Sequence, residues 1–367
     1  MPSSLTRVSP SQQGLLKAPL KIVSIGGGTG LSTLLSGVKK YAAGPQRRGD
    51  IKGPSVEISA VVTVSDDGGS SGRLRRDFDI LPPGDIRNCM TALSEDEHLL
   101  SQLFQYRFAS GRGLKGHSFG NLFLTALHQI TGDFAQAVKL SSEILAIRGR
   151  IFPATAANVT LEAVLNDGTV VRGESKISKS RKPIRKIRLH PRDCLPLPDT
   201  LEAIEKADLI TLGPGSLYTS VVPNILVRGM AEAIETSQAM KVYFVNLMWQ
   251  PGETISFTAS QHLKVIQAHA GRKLVDCVVL NTAPIAAALQ RRYARAKVEP
   301  VENDMDALHK LGVNIVTADL VSDAAIAQQR IRHDSAALAA VVLDLASRSR
   351  AFQVRKQALT AQRLRTK

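Results

Sequence analysis

The sequence predicts an α/β protein: a Rossmann-like three-layer α/β/α core with a largely parallel sheet and a small β-rich insertion. Three observations predict it. Short apolar runs alternate with stretches of helical periodicity over most of the 367 residues. Several of those runs stop at glycine- and hydroxyl-rich turns, the way parallel sheets put polar groups at their carboxyl edge. One segment, 153–198, replaces the alternation with a hairpin pattern.

Taken in order, Lys21–Ile25 is a short apolar strand running into Gly26-Gly27-Gly28-Thr29-Gly30, and Leu31–Tyr41 reads as a helix. Ala42–Ser55, rich in Gly, Pro and Arg, has the texture of an insertion. The β-formers of Glu57–Val64 end at Ser65-Asp66-Asp67-Gly68-Gly69-Ser70-Ser71-Gly72, and a second turn follows at Pro82-Pro83-Gly84-Asp85. Asp85 suits the N-cap of a helix over Ile86–Phe108. Further helices are expected over Gly120–Ile130 and Phe134–Leu145. Asn158–Leu165, the turn Asn166-Asp167-Gly168 and Thr169–Glu174 form a hairpin with an Asp-Gly turn. Ile184–His190 continues the β-pattern, and Pro191–Pro198 is a connector. The α/β alternation then resumes: helix Leu201–Lys206, strand Leu209–Leu212, helix Val221–Thr236, strand Val242–Asn246, helix Thr258–Ala270 and strand Leu274–Leu280. The expected division is a flexible lead (1–19), a first α/β part (20–152), the β-rich insertion (153–198), a second α/β part of the same core (199–344) and a basic tail (345–367).

Composition narrows the class. The 44% apolar content is ordinary for a globular chain, and no apolar run is long enough to span a bilayer. The N-terminus lacks the apolar core of a signal peptide. Cys89, Cys194 and Cys277 are odd in number and far apart, which fits a reducing cytoplasm and excludes a disulfide framework or structural zinc. The net charge of +15 is peripheral. Residues 172–192 hold nine Lys/Arg against Glu174, and 345–367 hold seven Lys/Arg and no acid, so the remaining body is close to neutral. A nucleic-acid partner is therefore not expected, since solvated basic ends account for the charge. A homodimer is the default expectation.

The glycine loops carry the chemistry. Glycine allows close backbone approach to a phosphate, and the free N–H groups of a helix start attract anions. Gly27, Gly28, Thr29 and Gly30 form one such cradle. The third glycine of the dinucleotide fingerprint would fall at Leu31, which makes an NAD(P)-dependent dehydrogenase the weakest reading. Asp66 and Asp67, beside Gly69 and Ser70, suit ribose or sugar hydroxyls, and Asp66 could ligate Mg²⁺. Asn88 falls in the first turn of a helix, His117 precedes a helix start, and Asn121 could read a base edge through its amide. Gly213–Ser220 offers Gly215, Ser216, Tyr218 and Thr219 as phosphate or sugar donors. Asn246, Gln250 and Glu253 follow a later strand and are crevice candidates by position. His262, His269 and His333 lack metal-site spacing and read as structural. No activated nucleophile stands out.

GGGTG at 26–30, SDDGGSSGRLR at 65–75, ILPPGDIRN at 80–88, GHSFGN at 116–121, GPGSLYTSVVPN at 213–224 and QPGET at 250–254 together resemble the YvcK/CofD-like family. The likeness covers about residues 20–335 and is closer to the YvcK branch, the gluconeogenesis factors. In that branch it implies binding of UDP-N-acetylglucosamine and a role in cell shape and in growth on gluconeogenic carbon sources. It also implies that Tyr293 and Arg332 touch the nucleotide sugar, a role suited to an aromatic ring and a guanidinium. In the CofD branch it implies transfer of 2-phospho-L-lactate from a nucleotide-activated donor to a deazaflavin, with Mg²⁺ on the diphosphate and Asp66 or Asp85 orienting metal or acceptor. The 4% aromatic content speaks mildly against a deazaflavin cleft. A regulatory nucleotide-sugar binder and a transferase both stay open.

Overall fold

A computed structural model describes residues 18–43, 53–95 and 98–365. Nearly all of the expected flexible lead, and most of the Ala42–Ser55 stretch, lie outside the described residues.

Seven strands form one parallel sheet: β1 (Leu20–Gly26), β2 (Val56–Val62), β3 (Arg150–Pro153), β7 (Leu209–Leu212), β8 (Met240–Phe244), β9 (Cys277–Asn281) and β10 (Asn314–Ala318). The intervening β4 (Thr160–Leu165), β5 (Val170–Arg172) and β6 (Ile184–His190) make a separate antiparallel sheet in the order β5-β4-β6. The large sheet runs β10-β9-β8-β7-β1-β2-β3, and every neighbouring pair in it is parallel. Its central strands are buried almost without interruption, as in Leu209, Ile210 and Leu212 of β7. Strands buried on both faces read as continuous Val/Ile/Leu runs because helices cover each side. In the small sheet β6 keeps Ile184, Ile187 and Leu189 inward and exposes Arg185 and Lys186, so only one face is covered.

The covering helices are α1 (Gly28–Val38), α2 (Gly69–Phe78), α3 (Gly84–Leu93), α4 (His98–Gln105), α5 (Phe119–Thr131) and α6 (Phe134–Ile144) in the first half. A short α7 (Glu174–Ile177) follows β5. The second half adds α8 (Pro198–Glu205), α9 (Val222–Ile225), α10 (Met230–Thr236), α11 (Ala259–Ala270), α12 (Ala287–Ala294), α13 (Met305–Lys310), α14 (Asp323–Ala327) and a 31-residue α15 (Ser335–Arg365). Caps explain several starts. Ser118 accepts from the Asn121 N–H, Asp133 from Gln136, and Thr258 forms a reciprocal box with Gln261.

Four expectations are corrected. The helix expected over Ile86–Phe108 is two helices, because Ser94 turns extended and the polar Ser94-Glu95 stretch gives no apolar stripe to bury. Asp85 is not its N-cap: Pro83 takes that place, and Asp85 is the second residue of the first turn, free to bond elsewhere. The helix expected over Val221–Thr236 is interrupted: a wide turn at Leu217–Val221 leads into α9, and the left-handed Gly229 (φ 88°) separates α9 from α10. The basic tail is no loose end, since through Arg365 it is the last two thirds of α15. Its Arg350 is buried, bonding both carboxylate oxygens of Asp208 at the start of β7 and the carbonyls of Ala18 and Pro19. Asp208 also accepts the Lys21 N–H at 2.7 Å, so one ion pair ties the last helix to the first strand.

Candidate functional site

Strand order reverses between β1 and β7: from β1 the chain moves outward to β2 and β3, from β7 to β8, β9 and β10. Loops leaving the carboxyl ends of two such strands diverge and leave a crevice. Here the crevice is a cavity of about 420 Å³ whose walls include Gly27, Gly28, Thr29 and Gly30 after β1, and Gly215, Ser216 and Ser220 after β7. Asn246, Trp249 and Gln250 after β8 close one side, and Tyr293, Arg332 and His333 close another.

The two glycine loops touch. A Cβ on Gly30 would fall 2.3 Å from the Pro214 carbonyl oxygen, so only glycine lets the backbones pass. Buried Asn224 locks the arrangement by donating to the carbonyls of Gly26 (3.2 Å) and Ser220 (2.7 Å). Gln250 fixes the opposite wall. It accepts from Asn246 Nδ2 at 3.1 Å and donates to Ser216 Oγ at 2.7 Å. Helix α1 starts at Gly28 with no side-chain cap from Gly27, and its N-terminal residues Gly28, Thr29 and Gly30 line the cavity.

Behind this cradle lies a group of carboxylates. Asp85 accepts the Gly28 N–H, and a Cβ on Gly27 would sit 2.6 Å from its Oδ2. Burial, then the charge of Asp66, push the Asp85 carboxyl up to about 7. Glu174, from the insertion, is driven up to about 9 by burial and then by Asp66 and Asp85, and its Oε2 has no partner among the described residues. Asp66 is raised by burial although the Gly68 N–H bonds its Oδ1 at 2.8 Å. Asp67 holds the insertion in place by accepting the Ser175 N–H at 2.8 Å. Gly69 is exposed at the start of α2. Next to it, Ser70 Oγ lies 2.9 Å from His117 Nδ1 and receives the Asn121 amide N–H at 3.1 Å. Asn88 accepts from Arg87 at 2.6 Å.

The sequence candidates therefore fall into two adjoining groups. Gly27, Gly28, Thr29, Gly30, Gly215, Ser216, Asn246, Tyr293 and Arg332 line the cavity. Asp66, Asp67, Asp85, Ser70, His117 and Asn121 stand behind it, joined through the Asp85–Gly28 bond. Tyr218 and Thr219 belong to neither wall. Tyr218 is buried with its hydroxyl on the Ile184 carbonyl, and Thr219 bonds Glu253 at 3.1 Å. Glu253, also bonded to the Tyr218 N–H, is a buried brace for the third loop and is pushed up to about 7 by burial. Sequence reasoning missed Trp249, Ser220 and Glu174, and set aside His333. His333 lines the cavity with its pKa lowered to about 4 by burial and its Nε2 without a partner among the described residues. Only Ser220 carried a readable signal, as part of the glycine-hydroxyl loop.

Among the described residues no group of three or more His, Cys, Asp or Glu is arranged to hold a metal ion, and no helix is long and apolar enough to cross a membrane. The three cysteines are free and buried.

Comparison with known proteins places this architecture. Residues 22–321 match the family model described as 2-phospho-L-lactate transferase CofD. The chain is 47% identical over 325 residues to the gluconeogenesis factor of Halalkalibacterium halodurans, covering 88% of this chain and 95% of that one. It is 44% identical to the gluconeogenesis factor of Bacillus subtilis, covering 89% and 98% respectively. A crystal structure from Bacillus halodurans, described as a member of the UPF0052 family, superposes with a TM-score of 0.82 at 46% identity, covering 89% of this chain and 99% of that one. The chain belongs to the YvcK/CofD-like family, on the branch of the gluconeogenesis factors.

Proposed function

We propose that the chain is a cytoplasmic binding protein for a uridine-diphosphate sugar, UDP-N-acetylglucosamine. By this reading it couples carbon status to growth and cell shape on gluconeogenic carbon sources. The observation that carries the reading is the meeting of two glycine loops and one aromatic–guanidinium pair, Tyr293 and Arg332, around one cavity at the switch point. The loop N–H groups and the start of α1 offer donors to a diphosphate, and Arg332, exposed on the wall, adds positive charge. Tyr293 is held by the Ile331 N–H, which donates to its hydroxyl at 3.2 Å, so its ring is presented in one orientation.

Calorimetric titration with UDP-N-acetylglucosamine tests this. Tyr293→Ala and Arg332→Ala should each weaken binding about tenfold or more, about 1.4 kcal/mol. Unchanged affinity in both variants would remove the pair from the site. Trp249, the only tryptophan in the sequence, lies in the cavity wall and supplies a fluorescence signal for the same titration.

A second reading, transfer from a nucleotide-activated donor, is favoured by the crowded carboxylates behind the cradle. Mg²⁺ is commonly held by one or two carboxylates plus substrate phosphates, so Asp66 with a bound diphosphate fits where a three-residue protein cage does not. Bound there, Mg²⁺ would neutralise diphosphate charge. Asp85, with its carboxyl near 7, would hold or release a proton beside Gly28. Incubating the protein with Mg²⁺, a labelled nucleotide-activated donor and candidate acceptors tests it; no nucleotide release under any condition leaves the binding role alone.

A further inference from the structure

A second cavity of about 230 Å³ adjoins the main one and shares Asn246 and Leu247 with it. It lies beyond the carboxyl ends of β8 and β9, on the side away from the carboxylate group. No charged side chain lines it. Its walls are aliphatic or prolyl, with Ile285 and Pro300 among them, and its polar groups are carboxamides. Asn281 is spent as framework: its Oδ1 receives the N–H groups of Ala283 and Leu320, and its Nδ2 donates to the Ala283 carbonyl.

Gln290 and Asn303 are different. Gln290 Nε2 donates to the Ile285 carbonyl at 2.9 Å, and Asn303 Nδ2 donates to the Asn281 carbonyl at 2.8 Å. A carbonyl oxygen can only accept, so both amides are fixed in orientation and their oxygens remain as acceptors. Asn246 Nδ2 is committed to Gln250, which leaves its Oδ1 as a third acceptor at the junction of the cavities.

We propose that this cavity is a nucleobase subsite for a base carrying a ring N–H. The proposal rests on the nucleotide-sugar reading above and assigns the part of the ligand it left unplaced. Flat aliphatic walls accept a heterocycle, and uncharged acceptor oxygens match the N3–H of uracil or the N1–H of guanine. A sugar would leave most of its hydroxyls against Ile285, Pro300 and Val301. Cytosine can donate through its exocyclic amine but presents a lone pair at N3, so an oxygen placed for a ring N–H would face it with no proton between them. A site built for a ring donor disfavours an analogue that lacks it.

The test is calorimetry on the full chain with UDP, CDP, GDP and inorganic pyrophosphate. UDP is expected to bind at least tenfold more tightly than CDP. Ile285→Phe, which fills the cavity, should weaken UDP and UDP-N-acetylglucosamine at least tenfold and leave pyrophosphate unchanged. Gln290→Leu, at an exposed position that endangers the fold less, should reduce the preference for UDP over CDP. Equal binding of UDP and CDP, or no effect of Ile285→Phe in a folded variant, overturns the assignment. A wild type in which no nucleotide binds better than pyrophosphate overturns it too. If GDP binds and UDP does not, the uridine reading fails, while the base cavity stands provided Ile285→Phe abolishes GDP binding.

Discussion

Asp85 is where the two groups of candidate residues meet. Its carboxylate takes the Gly28 N–H, so an internal anion already sits at the start of α1 with Asp66 and Glu174 near it. Like charges in a buried site raise one another's pKa, and Glu174 is raised furthest, to about 9 against an ordinary 4.5. Glu174 thus keeps a proton in the folded state that the unfolded chain has lost at neutral pH. Its contribution to stability is complete below pH 4.5 and is lost as pH rises toward 9. Glu174→Gln should therefore raise the urea midpoint at pH 8, by about 1 kcal/mol or more in stability, and flatten the decline between pH 5 and 9. Identical pH slopes in variant and wild type would contradict this. A second pair of residues separates support from contact. Tyr218→Phe should leave UDP-N-acetylglucosamine affinity within about twofold, because its hydroxyl serves the Ile184 carbonyl. Ser216→Ala should lower it severalfold, because Ser216 lines the cavity. The reverse order in a fluorescence titration would move Tyr218 into the site.

Helix α15 ties down the amino edge of the sheet, opposite the crevice. It packs on α1 and against β1, β7 and β8, and its Arg350 satisfies Asp208 and two carbonyls preceding β1. Removing one partner of a buried ion pair leaves the other charge unpaired, at a cost of about 3–5 kcal/mol. Arg350→Met should show a loss of that order in urea unfolding, and a loss under about 1 kcal/mol would mean that Asp208 is satisfied without it. Replacing both residues by apolar ones of similar size should recover most of the loss. The exposed i,i+4 pair Arg348–Asp344 on the same helix should matter little, since such pairs contribute about 0.5 kcal/mol or less.

The whole molecule is a parallel sheet whose strand order reverses at β1 and β7, and the crevice follows from that reversal. Much of this was legible in the residues. Apolar strands ending in Gly26–Gly30 and Gly213–Ser216 announced both loops, and the Asp-Gly turn at Asp167-Gly168 announced the hairpin. What was not legible depended on contacts distant in sequence. Nothing local reveals that Arg350 is buried, because its partner Asp208 lies 142 residues away. Glu174 reads as the end of a hairpin until folding sets it against Asp66 and Asp85. Tyr218 and Thr219 sit in a glycine-hydroxyl loop yet turn inward, because Glu253 lies beneath them. The wide turn that follows Ser216 breaks the helical period that Val221–Thr236 suggested.

A crystal structure of the protein with UDP-N-acetylglucosamine tests the central claim most directly. The expected result is a diphosphate against the main-chain N–H groups of Thr29–Gly30 and Gly215–Ser216, within reach of Arg332. Nucleotide density at any other place on the chain, with the β1–β7 crevice vacant, would contradict it.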